Sequence, residues 1–194
     1  MTQHAKWKII NQQDVSPSPW FPIVKDEVEL PNGKRVEYFR SQLANVAMVI
    51  AITKQKEVVF VRQYKHGIGE VCIELPAGRI EVGQTPRAAA LHELQQETGV
   101  SIAETQLIEV VELWTEPSKS QVRVYGFLVT EVEITDAQNL EETEDIEVIK
   151  VPLHELSNFL LTEVHASDTM ALLLLAQQKW PELFDDLKAK HLIK

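Results

Sequence analysis

The sequence predicts an α/β fold: a mixed sheet with helices packed against it, preceded by a small antiparallel β unit. Three observations carry this expectation. Short apolar runs of strand length recur between Val46 and Val151, a well-marked helix interrupts them after Thr85, and helical segments close the chain. A length of 194 residues suits one core with an N-terminal elaboration, which places the units at 1–45 and 46–194.

In the first unit, Pro17 to Pro22 holds three prolines and reads as an extended connector. Ile23 to Leu30 and Arg35 to Arg40 flank Pro31-Asn32-Gly33-Lys34, a hairpin turn signal. Strand-like runs follow at Val46 to Thr53 and Val58 to Tyr64, split by the polar turn Lys54 to Glu57, with a third at Cys72 to Leu75. A glycine-bearing loop, Gly78 to Gln84, then leads into the helix. Thr85 suits its N-cap, Pro86 its first position and Gly99 its end. Strands are expected near Ile108 to Trp114, Val122 to Val132 and Ile146 to Val151. Helices are expected around Leu153 to Leu161 and from Asp168 to Trp180, where Pro181 interrupts. Met170 to Ala176 is apolar on every side and reads as a buried core helix rather than a cofactor box.

Composition excludes several classes of function. Apolar residues at 44% and charged residues at 25% describe a globular chain, not a disordered or fibrous one. The longest apolar stretches, Val46 to Ile52 and Met170 to Ala176, fall far short of the roughly 18 to 20 residues that cross a bilayer, so no membrane role is expected. The opening MTQHAKWKII has neither an apolar signal core nor a cleavage site, so the expected compartment is the cytoplasm. The lone Cys72 cannot close an intramolecular disulfide or build a multi-cysteine zinc site. The six histidines, at 4, 66, 92, 154, 165 and 191, show no paired metal spacing. With 19 basic against 29 acidic residues the net charge is −10, which argues against nucleic acid as a partner. Much of that charge lies between Glu131 and Glu147, a stretch without Lys or Arg. Two readings stand for it: a solvated loop, or a metal-binding or catalytic one.

The informative segment is LPAGRIEVGQTPRAAALHELQQETGV, from Leu75 to Val100. On a helix, Ala90, Leu91, Leu94 and Thr98 share one face, which packs, while Glu93, Gln96 and Glu97 share a neighbouring one that displays oxygen atoms. Glu93 and Glu97, four residues apart, place like charges together at a cost of about 0.2–0.5 kcal/mol. Such a pair alone is ordinarily a solvated face. The glycine loop just upstream, however, can fold back and aim a backbone carbonyl at the same carboxylates, and hard cations such as Mg²⁺ take that mixture of oxygens.

This segment resembles the Nudix box, G-x5-E-x7-R-E-U-x-E-E-x-G-U with U a bulky aliphatic. Here it runs Gly78, Gln84, His92, Glu93, Leu94, Gln96, Glu97, Gly99, Val100 at matching spacing. VRQYK at 61 to 65, ELPAG at 74 to 78, EDIEVIKVPLHEL at 144 to 156, the N-terminal hairpin and VHASDTMALLLLA are similar to the ADP-ribose pyrophosphatase branch.

The resemblance implies a Nudix-type α/β/α sandwich and a hydrolase. Its reaction would split the pyrophosphate bond of ADP-ribose or a related nucleoside diphosphate sugar into a nucleoside monophosphate and a sugar phosphate, with Mg²⁺ or Mn²⁺. It further implies a homodimer in which each N-terminal unit reaches its partner's site. Residue by residue, it makes the Ala77 carbonyl, Glu93 and Glu97 metal ligands, with Glu97 also counted among the catalytic groups. Glu142 or Glu144 would be the catalytic base; a solvated acidic loop is the alternative for both. Lys65 takes the last place of an RQYR motif, a phosphate contact, where lysine keeps the charge and loses arginine's bidentate fork. Tyr38 and Phe39 match aromatics that stack on a base, with plain packing as the competing explanation.

Three positions depart from the pattern. Gln84 and His92 stand where a Glu and an Arg pair to hold the loop on the helix; a Gln and a His can still hydrogen-bond, so the loop is expected to form. Gln96 replaces the first Glu of the Glu-Glu pair and brings an amide oxygen to the metal site without a charge. A rival reading follows from these departures: a catalytically weakened Nudix-fold module that binds or senses a nucleotide sugar.

Overall fold

The computed structural model describes residues 5–184; His4 and His191 lie outside them. The chain divides into two compact units, one of Met1–Ala44 with Trp114–Arg123 and one of Asn45–Leu113 with Val124–Lys194. Residues 114–123, expected within the larger unit, thus belong with the N-terminal unit.

The smaller unit is a three-stranded antiparallel sheet in the order β1 (Lys8–Asp14), β2 (Ile23–Glu29), β3 (Arg35–Ser41). The expected hairpin forms, with Gly33 in the left-handed region (φ 81°) that its turn requires. The central strand β2 alternates between buried and half-buried positions, so Val24, Asp26 and Val28 point to one side. Asp26 is tolerated there because its carboxylate accepts from Arg40 Nε at 2.6 Å and from Gln12 Nε2 at 2.7 Å. The segment 114–123 attaches to β3, with the Ser41 N–H donating to the Lys119 carbonyl at 2.8 Å.

One expectation for this unit is corrected. Pro17 to Pro22 is not an extended connector: the Phe21 N–H donates to the Ser18 carbonyl at 3.1 Å, closing a tight turn. Prolines set φ and suit turns as well as extended chain, so composition alone could not decide. That turn returns the chain from β1, a strand the sequence did not announce.

The larger unit is built on a seven-stranded mixed sheet, and helices cover both faces. Its strands are β4 (Val46–Thr53), β5 (Glu57–Lys65), β6 (Glu70–Glu74), β7 (Ala77–Arg79), β8 (Ile108–Trp114), β9 (Arg123–Val132) and β10 (Ile146–Pro152). They run in the order β10-β5-β4-β9-β8, with β6 added to β5 and β7 to β4; β4 and β9 are parallel, while β5 runs antiparallel to β4, β6 and β10. The strand β4 explains the layering. Met48, Ile50 and Ile52 point to one side, into a core completed by Phe60, Leu128 and the helices α2 (Leu156–Thr162) and α3 (Ser167–Lys179). Ala47, Val49 and Ala51 point to the other, against Ala89, Ala90 and Leu94 of α1 (Pro86–Thr98). A strand buried on both faces reads as one continuous apolar run, which VAMVIAI is.

Helix α1 begins and ends where its sequence predicts. Thr85 Oγ1 accepts from the Ala88 N–H at 3.1 Å, Pro86 opens the helix, and Gly99, at φ 72°, donates its N–H to the Gln95 carbonyl. Two details differ from expectation. The first residues of the glycine loop form the short strand β7 on β4. Met170 to Ala176 is not buried all round: Leu172, Leu173 and Ala176 pack into the core, while Leu174 is 58% exposed. Only one side of α3 meets the sheet, so an all-apolar helix still leaves leucine in water. Among the described residues no helix is long and apolar enough to cross a membrane.

Candidate active site

The turn between β6 and β7 faces the C-terminal half of α1, and three bonds fix it. The Leu75 N–H donates to Thr169 Oγ1 at 3.1 Å, the Pro76 carbonyl accepts from the Val49 N–H at 3.0 Å, and the Ala77 N–H donates to Glu97 Oε2 at 2.9 Å. Gly78 follows, and here the absence of a side chain matters. A Cβ at this position would lie 2.0 Å from the carboxyl carbon of Glu93. The Glu93 carboxylate therefore rests directly on the Gly78 backbone. Ala77, Glu93 and Glu97 are thus brought together.

Glu97 corrects the helix-face expectation. It is only 2% exposed and lies with the packing residues, not on a face open to water. Burial pushes its carboxyl up to about 8, the Ala77 N–H partly offsets this, and the nearby charges of Glu93 and Glu74 raise it further while Lys65 lowers it. Glu93 is also raised, first by burial; His92 opposes the shift, and Glu144 and Glu141 add to it. Two carboxylates with elevated proton affinity, beside a loop backbone and in a partly desolvated corner, form an all-oxygen set that a hard divalent cation would relieve. Among the described residues no three His, Cys, Asp or Glu side chains gather to hold a metal. The corner brings two carboxylates onto the loop backbone rather than forming a cage of side chains.

The acidic segment is held to the end of α1. The Thr135 and Asp136 N–H groups donate to the Gly99 carbonyl at 3.2 and 3.0 Å, and the Asn139 N–H donates to the Gln96 carbonyl at 2.9 Å. These bonds satisfy carbonyls that a helix end leaves without partners. Beyond them the loop turns on itself: Glu144 donates its N–H to the Glu141 carbonyl and accepts from the Glu141 N–H on its carboxylate, at 3.0 and 2.9 Å. Glu144 is half-buried and its charge reaches Glu93, whereas Glu142 is exposed at the turn.

Lys65, at the end of β5, makes an ion pair with Glu74 of β6, and Gln63 Nε2 donates to the same carboxylate at 3.1 Å. Glu74 was not singled out from the sequence. The antiparallel register sets Gln63 opposite Cys72, so Glu74 is its diagonal neighbour, and that pairing would have flagged it. Gln84 and His92 are not bonded to each other as expected. Gln84 Oε1 accepts from the Glu81 N–H at 3.0 Å, and the exposed His92 lies 3.8 Å from Glu93 Oε1. The loop is held instead by its own turn, through the Gln84 N–H on the Glu81 carbonyl, and by the Ile80 N–H on the Asn45 carbonyl. Gln96 is half-buried.

Tyr38 and Phe39 belong to the smaller unit. The Tyr38 hydroxyl donates to the Ser118 carbonyl, and its ring meets Trp7 edge-on at 5.8 Å; Phe39 is 49% exposed. Packing thus engages Tyr38, while Phe39 keeps an open ring face. A cavity of about 620 Å³ is lined by Thr85, Arg87, Val110, Tyr125 and Lys179 among others and includes none of the candidate site residues.

A mixed sheet sandwiched by helices, with a glycine loop seated on two glutamates of the first helix, defines the class. A NUDIX domain matches residues 42–173, and a nucleoside diphosphate sugar hydrolase N-terminal domain matches residues 7–41. The chain belongs to the Nudix hydrolase family. An ADP-ribose pyrophosphatase of Bacillus subtilis (strain 168) is 28% identical over 149 residues, 76% of this chain and 80% of that protein. A methanol dehydrogenase activator of Bacillus methanolicus is 29% identical over 136 residues, 70% of this chain and 72% of that one. The fold is also that of a crystal structure described as an ADP compounds hydrolase, with a TM-score of 0.81 at 20% identity, over 94% of this chain and 98% of the other.

Proposed function

We propose that this chain hydrolyses the pyrophosphate bond of ADP-ribose or a related nucleoside diphosphate sugar, giving a nucleoside monophosphate and a sugar phosphate. The observation that carries this reading is the seating of Glu93 on Gly78 and of Glu97 on the Ala77 N–H within the Nudix motif. A relative named an ADP-ribose pyrophosphatase, matched over four-fifths of its length, supports the substrate class.

The Ala77 carbonyl, Glu93 and Glu97 would hold a divalent cation, Mg²⁺ or Mn²⁺, with the Gln96 amide in support. When bound, it would neutralise the pyrophosphate and stabilise charge on the departing bridging oxygen. The chain's own groups do the rest. Glu144 is the better-placed acceptor for the proton of the attacking water, because its charge already reaches Glu93; Glu142 is the alternative. Lys65 offers an ammonium to a phosphate oxygen, aimed by its pair with Glu74.

The smaller unit serves as the dimer-forming extension, and Phe39 with Tyr38 meets the base in the site of a second copy. Exposed Trp20, Phe21 and Phe39 supply apolar surface for that contact. The lone cysteine suits the cytoplasm as the working compartment. A panel of nucleoside diphosphate compounds, incubated with Mg²⁺ or Mn²⁺ and read as phosphate released by an added phosphatase, tests the reaction. Release from ADP-ribose or a nucleoside diphosphate sugar is expected; a flat panel with both metals overturns the assignment. Sedimentation at micromolar concentration tests the assembly, and a fully active 22.1 kDa monomer would sink it.

A further inference from the structure

The acidic loop is fastened at one point by a side chain that serves neither packing nor any role assigned above. The amide nitrogen of Gln138 donates to the Glu97 carbonyl at 2.7 Å and to the Ile146 carbonyl at 3.0 Å. Glu97 O lies at the C-terminal end of α1, on the residue whose carboxylate meets the Ala77 N–H. Ile146 O lies at the first residue of β10, immediately past the acidic turn. One amide thus ties the two ends of a closed path: helix end, loop 139–145, strand start. Its two donors are both used, and each finds a carbonyl.

From this bridging geometry we infer that Gln138 is a positioning residue for the reaction proposed above, on which the inference rests: it sets the distance between the loop carboxylates and the glutamates of α1. The turn carrying Glu141, Glu142 and Glu144 is otherwise bonded largely to itself, through the reciprocal Glu141–Glu144 pair. It also concentrates like charge opposite Glu93, so Coulomb repulsion drives it outward. A tether at its base must oppose that push. The Asn139 N–H on the Gln96 carbonyl secures the entry to the turn, and among the described residues Gln138 alone joins entry and exit. Removing the amide frees the turn to move by a distance comparable to a hydrogen bond, and a misplacement of about 1 Å in a reacting group can lower rate by about 100-fold.

The test combines kinetics with amide hydrogen exchange on the full chain. Gln138→Ala is expected to lower kcat about 10-fold with KM changed less than about 2-fold, the pattern of a lost transition-state placement. Gln138→Asn keeps the amide but is one methylene shorter, reaches one carbonyl at most, and should fall between wild type and alanine. In a Glu144→Gln background Gln138→Ala should add less than about 2-fold, because the group it positions is already gone. Deuterium uptake by residues 139–145 should rise in Gln138→Ala while that of residues 167–179 stays as in wild type.

Unchanged uptake at 139–145 overturns the tether whatever the activity. Raised uptake with unchanged kcat, or an equal loss of kcat with and without Glu144→Gln, overturns the positioning role. A wild type that hydrolyses no nucleoside diphosphate sugar overturns the functional reading instead, and uptake then judges the tether by itself.

Discussion

Two buried carboxylates, one in each unit, show how differently a fold can hold the same group. Asp26 is 3% exposed and Glu97 is 2% exposed. Burial raises the proton affinity of Asp26, but the hydrogen bonds from Arg40 and Gln12 and the Arg40 charge outweigh it, and the group ends below its ordinary range. Glu97 has one backbone N–H and three charged neighbours, two of them negative, and ends near 8. Arg40 completes the first site from within the chain. At the second, Lys65 does not outweigh burial and two negative neighbours, and the cation proposed for Glu97 would supply the missing charge.

The largest test of this contrast is activity. Glu97→Gln keeps the shape and removes the charge, and should lower kcat at least about 100-fold, the scale of a lost transition-state contact. Steady-state assays at saturating Mg²⁺ measure it, and a Glu97→Gln protein as active as wild type would erase the contrast. Next in size is the structural site. Asp26→Ala leaves the Arg40 guanidinium without its partner and should destabilise the smaller unit by about 2 kcal/mol, below the usual figure for buried pairs because Arg40 retains some exposure. Urea unfolding measures it, and activity per folded molecule should change far less than in Glu97→Gln.

The two groups should also bend the stability curve in opposite directions. Glu97 binds its proton more tightly when folded, so without metal its contribution is full below about 4.5 and is lost as pH rises through about 8. Asp26 binds its proton less tightly when folded, so its contribution is present above its ordinary 3.8 and is lost as pH falls through the depressed value. Melting temperatures from pH 3 to 9 in chelator should show both limbs. Glu97→Gln should flatten the alkaline limb alone, and Mg²⁺ should flatten it in wild type. The smallest effect is at position 96. Gln96→Glu adds a carboxylate near Glu93 and Glu97 and, above about pH 8 where Glu97 is ionised as well, should cost roughly 0.2–0.5 kcal/mol without metal. With Mg²⁺ the sign should reverse, because a ligand of the folded state stabilises it. A Mg²⁺ titration that shifts neither melting temperature nor rate relative to wild type would remove position 96 from the site.

Much of this was legible in the sequence where local chemistry decides. Thr85, Pro86 and Gly99 bound α1, and Pro31 to Lys34 sets the hairpin, because capping and turn preferences act within a few residues. The motif spacing paired Gly78 with Glu93, and in the fold the two do meet, where only glycine leaves room for that carboxylate. Other features depend on partners distant in sequence. Strand β1, KIINQQD, is exposed along nearly its whole length and lacks the alternation that marks a half-buried strand. The burial of Glu97 follows from the β6–β7 turn closing over it, which no helical wheel displays. Gln84 and His92 matched a pairing by position, yet nearer partners, Glu81 and Glu93, took their polar atoms. Glu74 and Gln138 became visible only once strand register and loop path were known.

The parallel pairing of β4 with β9 has a consequence for how the chain is made. Val46 aligns with Val124 and Ala51 with Val129, so the central strand leaves the ribosome long before its second neighbour exists. Until then VAMVIAI has β5 and β7 on one side and an open, apolar edge on the other, the kind of surface that seeks a strand from another molecule. Contacts this distant in sequence also slow folding, since the loop between them must close before they form. The fold that places Glu97 so well is therefore exposed to aggregation during synthesis. Fast translation or high expression should press hardest on the stretch between β4 and β9, and a holdase that covers residues 46–52 should raise the yield of folded protein.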